Sequence, residues 1–237
     1  MKLISLNIEG SKHLPRVVDF LDSEKADVVC LMEVSQQDTL KIAGDNYPFV
    51  VFAPNDVMGN IGGSQGLEPT GVAILSREVM VDVEKEYFGE KPRTQVVQPG
   101  SGTHAPVMLL ATIGNMRIGA VHFTWTKKGS VSLLQMKHLD LLLKKLEKNE
   151  LFLCGDFNIP RANEAYKKLA AHFKDNIPSE VLTTIDPVFH YANREKPGRL
   201  QTVVDYMWST PEYRVENVRV VSGVSDHCAV VCSVEKI

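Results

Sequence analysis

Short apolar runs rich in β-branched residues recur along the whole chain, separated by polar turns. Runs of this length, bounded by Gly, Pro, Asn and Asp, predict about ten β-strands. The predicted strands cover residues 2–6, 28–32, 49–52, 72–75, 107–113, 116–121, 151–154, 203–208, 215–222 and 229–234. Gly114 and Asn115 separate two of these runs by a two-residue turn of the type that closes an antiparallel hairpin. The pattern therefore predicts a mixed sheet.

Three segments have the 3.6-residue apolar period of amphipathic helices. They begin near Pro15, cover about residues 130–148, and lie around residues 163–173. Gln135 falls on the apolar side of the second helix, where a buried amide needs hydrogen-bond partners. We expect it to be either a structural buttress or a support for a functional site. The glycine-rich segment 59–66 carries no phosphate-binding motif and predicts a mobile surface loop, with a substrate-facing lid as the alternative.

The composition is that of a folded globular protein. Of 237 residues, 44% are hydrophobic and 23% are charged, which excludes intrinsic disorder, collagen-like repeats and coiled coil for the bulk of the chain. This length allows one large α/β domain or two small ones. With 26 Lys and Arg against 29 Asp and Glu, the net charge is −3. No global positive field draws the protein onto nucleic acid, so any such contact must be local.

Neither the apolar runs nor the cysteines indicate an exported or membrane protein. No run approaches the ~18–20 residues of a membrane span, and we expect neither a signal peptide nor a membrane anchor. Cys30 and Cys154 lie in apolar strands and are predicted to be small buried hydrophobic residues. Cys228 and Cys232 would lie ~13 Å apart on one strand face, too far for a disulfide or a shared metal. A reducing, cytoplasmic location is expected.

Polar residues interrupt or directly follow many of the predicted strands. The residues placed in this way are Asn7, Glu33, His122, Asp156, Asn158, Asp205, Asp226 and His227. Each alone has an ordinary explanation, such as a turn or a hydrogen-bonded core histidine. Together they can converge, because ligands gather at strand ends in sheets covered by other layers. Glu33 also follows a run of apolar residues, where a carboxylate needs a cation or a hydrogen-bond partner.

The chemistry of these side chains is rich in oxygen donors. Carboxylates, amides and imidazoles without a thiolate suit a hard ion such as Mg²⁺ or Mn²⁺ better than Zn²⁺. Such an ion among acids and histidines points to phosphoryl chemistry.

The order of the motifs carries a resemblance to a known family. Along the chain stand LISLNIEG, LMEV, GVAILSR, GAVHF, GDFN, VVDY and SDHCAVV. In this order the sequence resembles the endonuclease/exonuclease/phosphatase superfamily, which includes deoxyribonuclease I and exodeoxyribonuclease III. The resemblance spans nearly the whole chain and implies one domain over residues 1–237. It implies an α/β fold like that of deoxyribonuclease I, a four-layer sandwich of two mixed, mostly antiparallel sheets packed face to face, with helices outside.

The resemblance also implies a metal site. Glu33 would be the principal ligand of Mg²⁺, with Mn²⁺ as a possible substitute, and Asn7 would lie beside it. Asp226 would complete the metal or histidine environment.

The implied catalytic residues lie on the later motifs. His122 and His227 would donate hydrogen bonds to the phosphate oxygens, and Asp205 would orient His227. Asp156 would position and deprotonate the attacking water or protonate the leaving oxygen, and Asn158 would help to bind the phosphoryl group. A carboxylate partner favours a cationic His227, because it raises the pKa of the imidazole.

Hints about the substrate are fewer. Trp125 and Lys127, followed by Lys128, form an aromatic face beside two cations that can stack a base and hold a flanking phosphate. Arg77, which closes GVAILSR, and residues 194–199 are further candidates. A solvated surface loop is the alternative for each of them.

Two departures weaken an assignment to the repair nucleases. Met32 stands where the family often has Gln, and Val203 stands where exodeoxyribonuclease III-like enzymes often have Arg. We therefore predict a monomeric, Mg²⁺-dependent phosphodiesterase that uses in-line attack of water, with nucleic acid as the foremost substrate. The alternatives are an enzyme acting on a small phosphorylated metabolite or lipid head group, and a non-catalytic binding module.

Overall fold

The structure is a computed structural model that describes residues 1–59, 67–89, 96–97 and 105–237. The glycine-rich segment that the sequence predicts to be a surface loop lies outside the described residues, apart from Gly59.

The described strands form two sheets. The seven-stranded sheet has the spatial order β12 (Tyr213–Val221), β13 (Ala229–Lys236), β1 (Lys2–Asn7), β2 (Val28–Ser35), β4 (Leu67–Ser76), β3 (Phe49–Gly59) and β6 (Val96–Val97). The six-stranded sheet has the order β10 (Lys174–Asp175), β11 (Asp205–Ser209), β9 (Phe152–Asp156), β8 (Met116–His122), β7 (Val107–Ile113) and β5 (Met80–Tyr87). The pairs β1–β2, β3–β6 and β8–β9 are parallel, and the other neighbouring pairs are antiparallel. Both sheets are thus mixed and mostly antiparallel.

A shared apolar core joins the two sheets face to face. Cys30 and Ile74 of one sheet and Leu109 and Cys154 of the other belong to the same buried cluster. A second cluster lies on the outer face of the seven-stranded sheet, where helices α1 (Leu14–Glu24) and α2 (Gln36–Ala43) pack. Helices α3 (Leu133–Leu146) and α4 (Glu164–Ala170) pack against the six-stranded sheet. The predicted four-layer sandwich is confirmed.

Most of the long apolar runs form strands where the pattern predicts them. The turn at Gly114 and Asn115 closes the β7–β8 hairpin, with Ile113 paired to Met116. Cys30 and Cys154 are buried in the core, as predicted, and Cys228 and Cys232 are buried as well.

The sequence pattern missed α2 and β5. α2 is short. It is capped by the preceding residue, Ser35, whose hydroxyl accepts a hydrogen bond from the backbone N–H of Asp38. β5 is an edge strand whose residues are mostly exposed, so it lacks the one-sided alternation of a half-buried strand.

No helix among the described residues is long and apolar enough to cross a membrane.

Candidate active site

Strand pairing brings the polar strand ends to one edge of the sandwich. β1 and β2 run parallel with Asn7 opposite Met32, so Asn7 and Glu33 leave the sheet side by side. In the other sheet, parallel pairing places His122 opposite Asp156, and antiparallel pairing places Asp205 opposite Asp156. β13 runs antiparallel to β1, so the residues that precede it lie at the same edge. The structure thus brings together all eight residues that the sequence places at strand ends.

Asp156 lies at the centre of this cluster and is buried. Its Oδ2 accepts a hydrogen bond from Nδ2 of Asn7 at 3.1 Å, and its Oδ1 accepts one from the backbone N–H of Asn158 at 2.9 Å. The Nε2 atoms of His122 and His227 lie 3.8 and 3.9 Å from the same Oδ2. Asp156 therefore faces two imidazoles and one amide.

The surroundings of Asp156 favour its protonated form. Burial, together with the charges of Asp205 and Glu33, raises the pKa of Asp156 to about 7, against the opposing charge of His227. A carboxyl group with this pKa can accept or donate a proton near neutrality.

Glu33 reaches the site through an irregularity in β2. The pairing of β2 with β4 shifts register between Leu31 and Val34, and Glu33 itself has a left-handed φ of 54°. Its Oε1 accepts a hydrogen bond from Nδ2 of Asn7 at 3.1 Å and lies 3.6 Å from Nε2 of His122. The Glu33 side chain is 30% exposed, so it faces the open side of the site.

Asp205 orients His227. Nδ1 of His227 lies 2.9 Å from Oδ2 of Asp205, which also accepts a hydrogen bond from the hydroxyl of Thr184 at 2.6 Å. Burial by itself lowers the pKa of His227, but the charges of Asp205 and Asp156 raise it well above its ordinary value. His227 is thus a cation whose Nε2–H points away from Asp205 and towards the site.

His122 is oriented from the other sheet. Nδ2 of Asn55 donates to Nδ1 of His122 at 3.2 Å, which leaves the ring proton on Nε2. This Nε2 is the atom that faces Glu33 and Asp156.

Asp226 and His190 lie beside His227 at the site. Polar atoms of Asp226, His190 and His227 lie within 4.8 Å of one another, and all three residues are buried. Burial, together with the charges of Glu9 and Glu33, raises the pKa of Asp226 to about 7, against the opposing charge of His227. Burial and the charge of His227 lower the pKa of His190 to about 4, so His190 is neutral.

The donor set fits a hard divalent cation. Oxygen atoms of carboxylates and amides, such as those of Glu33, Asn7 and Asp226, are the donors that Mg²⁺ prefers. Among the described residues, the acidic and histidine ligand atoms that lie within 4.8 Å of one another belong to Asp226 with His190 and His227, and to Asp156 with Asp205 and His227. The raised pKa of Asp226 reflects a buried carboxyl group close to other carboxylates, an arrangement that a bound cation stabilises.

Two of the three predicted substrate-binding residues lie in the segment that follows His122. Trp125 and Lys127 are exposed and follow His122 closely along the chain. The carbonyl oxygen of Phe123, between them and His122, accepts a hydrogen bond from Nδ2 of Asn158 at 3.1 Å.

Arg77 lies elsewhere, which corrects its predicted place beside the substrate. β2 and β4 are antiparallel with Val28 opposite Ser76, so Arg77 follows β4 at the edge where β2 begins. Arg77 is level with Asp27, to whose carbonyl oxygen its backbone N–H donates, and Glu33 lies six residues along β2 from there, about 20 Å away at ~3.3 Å per residue. Arg77 instead lines an open pocket with Tyr47 and Lys25.

Gln135 joins the two loops that carry the site. Its side chain is buried, and its Nε2 donates to the carbonyl oxygens of Thr124 at 2.9 Å and Asn158 at 3.3 Å. It therefore buttresses the loops that follow His122 and Asp156.

Sequence reasoning missed Asn55, Thr184 and His190. Asn55 lies in the FAPND segment beyond the predicted third strand, and the polar pair there was the available signal. Thr184 and His190 lie in an irregular segment between α4 and β11, where no period marks buried positions.

Comparisons with known proteins give one family and one fold. The family model described as "Endonuclease/Exonuclease/phosphatase family" matches residues 4–227. No curated protein has a matching sequence.

Several solved structures share the fold at low sequence identity. An endonuclease/exonuclease/phosphatase from Bacteroides vulgatus has a TM-score of 0.70 and 17% identity, covering 100% of this chain and 98% of its own. The human Nocturnin catalytic domain with bound sulfate has a TM-score of 0.68 and 16% identity, covering 100% and 93%. A mannosyl-6-phosphatase from Bacteroides thetaiotaomicron has a TM-score of 0.69 and 11% identity, covering 99% of each chain.

Proposed function

Because the chain belongs to the endonuclease/exonuclease/phosphatase family, whose members are hydrolases acting on phosphate esters, we propose that it is a divalent-metal-dependent phosphodiesterase with nucleic acid as its substrate. The observation that carries the proposal is the position of Asp156, buried between Asn7, His122 and His227 at one edge of the two sheets.

The proposed mechanism assigns proton transfer to Asp156. With a pKa of about 7, its carboxyl group takes a proton from the attacking water or gives one to the leaving oxygen. Asn7 and the backbone N–H of Asn158 fix the two carboxylate oxygens, so the group keeps one orientation during the reaction.

The two histidines stabilise the phosphate. Nε2–H of His227 and Nε2–H of His122 both face the space beside Asp156 and donate to phosphate oxygens. Asp205 keeps His227 cationic, and Asn55 keeps the proton of His122 on Nε2.

Glu33, Asn7 and Asp226 would hold Mg²⁺, or Mn²⁺ in its place. The bound ion supplies positive charge that offsets the charge of the phosphate group.

Nucleic acid is favoured by Trp125 and Lys127 beside the site, since an aromatic face next to a cation suits a base and its phosphate. A second candidate is a phosphatase acting on a small phosphorylated metabolite. It is supported by the acidic net charge of −3 and by the shared fold of the mannosyl-6-phosphatase.

Two isosteric variants test the proposal. With Mg²⁺, the wild type should release nucleotides from oligonucleotides, and Glu33→Gln and Asp156→Asn should each lower kcat by about 10²-fold or more. The first variant removes the proposed metal ligand's charge, and the second removes the group proposed to transfer a proton. Glu78→Gln, at an exposed acid near Arg77 and the opposite edge, is the matched control and should keep wild-type kcat.

The outcomes separate the alternatives. If the protein releases phosphate from monoesters and does not cleave oligonucleotides, the phosphatase function is correct and the phosphodiesterase function is wrong. If neither reaction occurs with Mg²⁺ or Mn²⁺ and calorimetry shows no binding of a divalent ion, the protein is a non-catalytic binding module.

A further inference from the structure

Exposed apolar side chains recur in the segment that follows His122 and leads into α3. Trp125 is 38% exposed, Val131 36%, Leu133 93% and Leu134 48%. Leu133 is the most exposed large hydrophobic residue in the described part of the chain. These residues, with the lysines among them, are called the 125–137 surface below.

Hydrogen bonds hold the 125–137 surface as one folded unit. Gln135, at the start of α3, donates to the carbonyl oxygen of Thr124 at 2.9 Å, and the Thr124 hydroxyl lies 2.8 Å from Nδ1 of His138. Trp125 directly follows Thr124 and Leu134 directly precedes Gln135, so both belong to the backbone that this hydrogen bond joins. Their exposure therefore belongs to an ordered element.

The charge of the 125–137 surface is opposite to that of the whole protein. Between Phe123 and Leu139 the sequence contains Lys127, Lys128 and Lys137 but no acidic residue, in a chain of net charge −3. All three lysines are exposed. The surface thus combines aliphatic, aromatic and cationic groups.

A similar combination lies on the other side of the site. Val188 is 52% and Tyr191 66% exposed. Both are near His190, whose ring centroid is 6.1 Å from that of His227. Exposed Arg194, Lys196 and Arg199 follow them, with exposed Glu195 between the first two. Apolar and cationic side chains therefore flank the site on both sides.

We propose that the 125–137 surface docks onto an anionic lipid surface and holds the catalytic edge at the head groups. Aliphatic chains enter the acyl boundary, tryptophan lies at the interface, and lysines pair with anionic head groups. A nucleic acid would use only part of this surface, because it can contact Trp125 and Lys127 as proposed above, whereas Leu133, Leu134 and Val131 offer no face for base stacking and would stay in water. This docking goes beyond the proposed function and does not depend on catalysis.

Vesicle sedimentation tests the proposal without any substrate. The full chain should sediment with phosphatidylcholine vesicles that contain phosphatidylserine and bind pure phosphatidylcholine more weakly, and rising salt should release it. The double variant Leu133→Ser and Leu134→Ser should bind about tenfold more weakly or worse, because two aliphatic anchors are lost.

Leu40→Ser is the matched control. Leu40 is 63% exposed on α2, which packs on the other sheet, so this variant should bind vesicles like the wild type. Unchanged thermal midpoints show that both proteins are folded.

Three outcomes would overturn the docking surface. In the first, the wild type sediments with neither kind of vesicle. In the second, the Leu40 variant loses as much vesicle binding as the double variant. In the third, the protein does not bind vesicles, and its oligonucleotide binding weakens in the double variant. The last outcome identifies a nucleic-acid platform. Loss of vesicle binding in the double variant with unchanged hydrolysis of a soluble diester separates docking from the proposed function.

Discussion

Gly155 sets how closely β8 and β9 approach each other beside the site. Its φ of 137° is a conformation that side chains rarely adopt, and a Cβ there would meet the backbone of Val121. The next residue is Asp156, paired with His122 in the same parallel register. Because Gly155 has no side chain, β8 and β9 can pair closely enough to bring Asp156 beside His122.

We predict that Gly155→Ala lowers the free energy of unfolding by about 3 kcal/mol or more, because it adds both a steric clash and backbone strain. Gly223→Ala is the control. Gly223 also has a positive φ, 85°, but no atom lies within 4 Å of the added Cβ, so about 1 kcal/mol is expected. Urea denaturation measures both, and equal losses would contradict the role of the close approach.

At the scale of single residues, the sequence predicted the groups that lie on strands and missed their partners. Asp156 and His122 stand out because each follows a run of apolar residues. Asn55 and Thr184 contact the two histidine systems, but Asn55 lies at a register shift within β3 and Thr184 lies in an irregular segment. Their role depends on contacts distant in the chain, which no local pattern records.

Among the elements, α2 covers the seven-stranded sheet and also holds the loop that follows Asn7. Buried Asp38 in its first turn accepts hydrogen bonds from the hydroxyl of Ser11 and from Nζ of Lys41. Ser11 belongs to the segment that follows Asn7, and Gly10 of that segment donates to the carbonyl oxygen of Glu33 at 3.0 Å. α2 thus anchors the loop that follows Asn7 and contacts the backbone of Glu33.

Asp38 makes this anchor depend on pH. Burial by itself raises the pKa of Asp38, but hydrogen bonds from Ser11 and Lys41 outweigh it and lower the pKa from the ordinary 3.8. A lowered folded pKa means that the stabilisation is complete above the unfolded value and disappears as pH falls through the folded value.

We therefore predict that Asp38→Asn costs about 1–2 kcal/mol at pH 7 and progressively less below about pH 4. Denaturation midpoints at a series of pH values measure the difference. Asp45→Asn, at an exposed acid just after the same helix, should remain near wild type at pH 7. A constant deficit of the Asp38 variant down to pH 2 would contradict the prediction.

The elements themselves differ in how far sequence determines them. The β7–β8 hairpin has long apolar runs and a two-residue turn, so local signals suffice. α2 has few apolar residues, and β5 is an exposed edge strand, so tertiary contacts decide both. Two sheets packed face to face were expected from the family resemblance, but which strands share a sheet was not predicted, because strand periodicity alone does not specify pairing partners.

On the scale of the molecule, the site requires both sheets. Asn7 and Glu33 come from the seven-stranded sheet, whereas His122, Asp156 and Asp205 come from the six-stranded sheet. The buried cluster that joins the sheets draws on strands from β1 to β13.

We predict that residues 1–237 unfold as one domain and that the protein is a monomer. Near- and far-ultraviolet circular dichroism should give coincident denaturation curves, because one core spans both sheets. Light scattering coupled to size exclusion should give the mass of a single chain, 26.4 kDa. Two separated transitions would indicate two domains, and a doubled mass would indicate a dimer.

The left-handed backbone of Glu33 has an evolutionary consequence. At a φ of 54°, glycine would fit with less strain, by about 1 kcal/mol, than any residue with a larger side chain. Selection for stability alone would favour glycine at this position, whereas the proposed function requires the carboxylate of Glu33. A laboratory search for thermostable variants that ignores activity should discard Glu33 early, and should produce robust but inactive proteins.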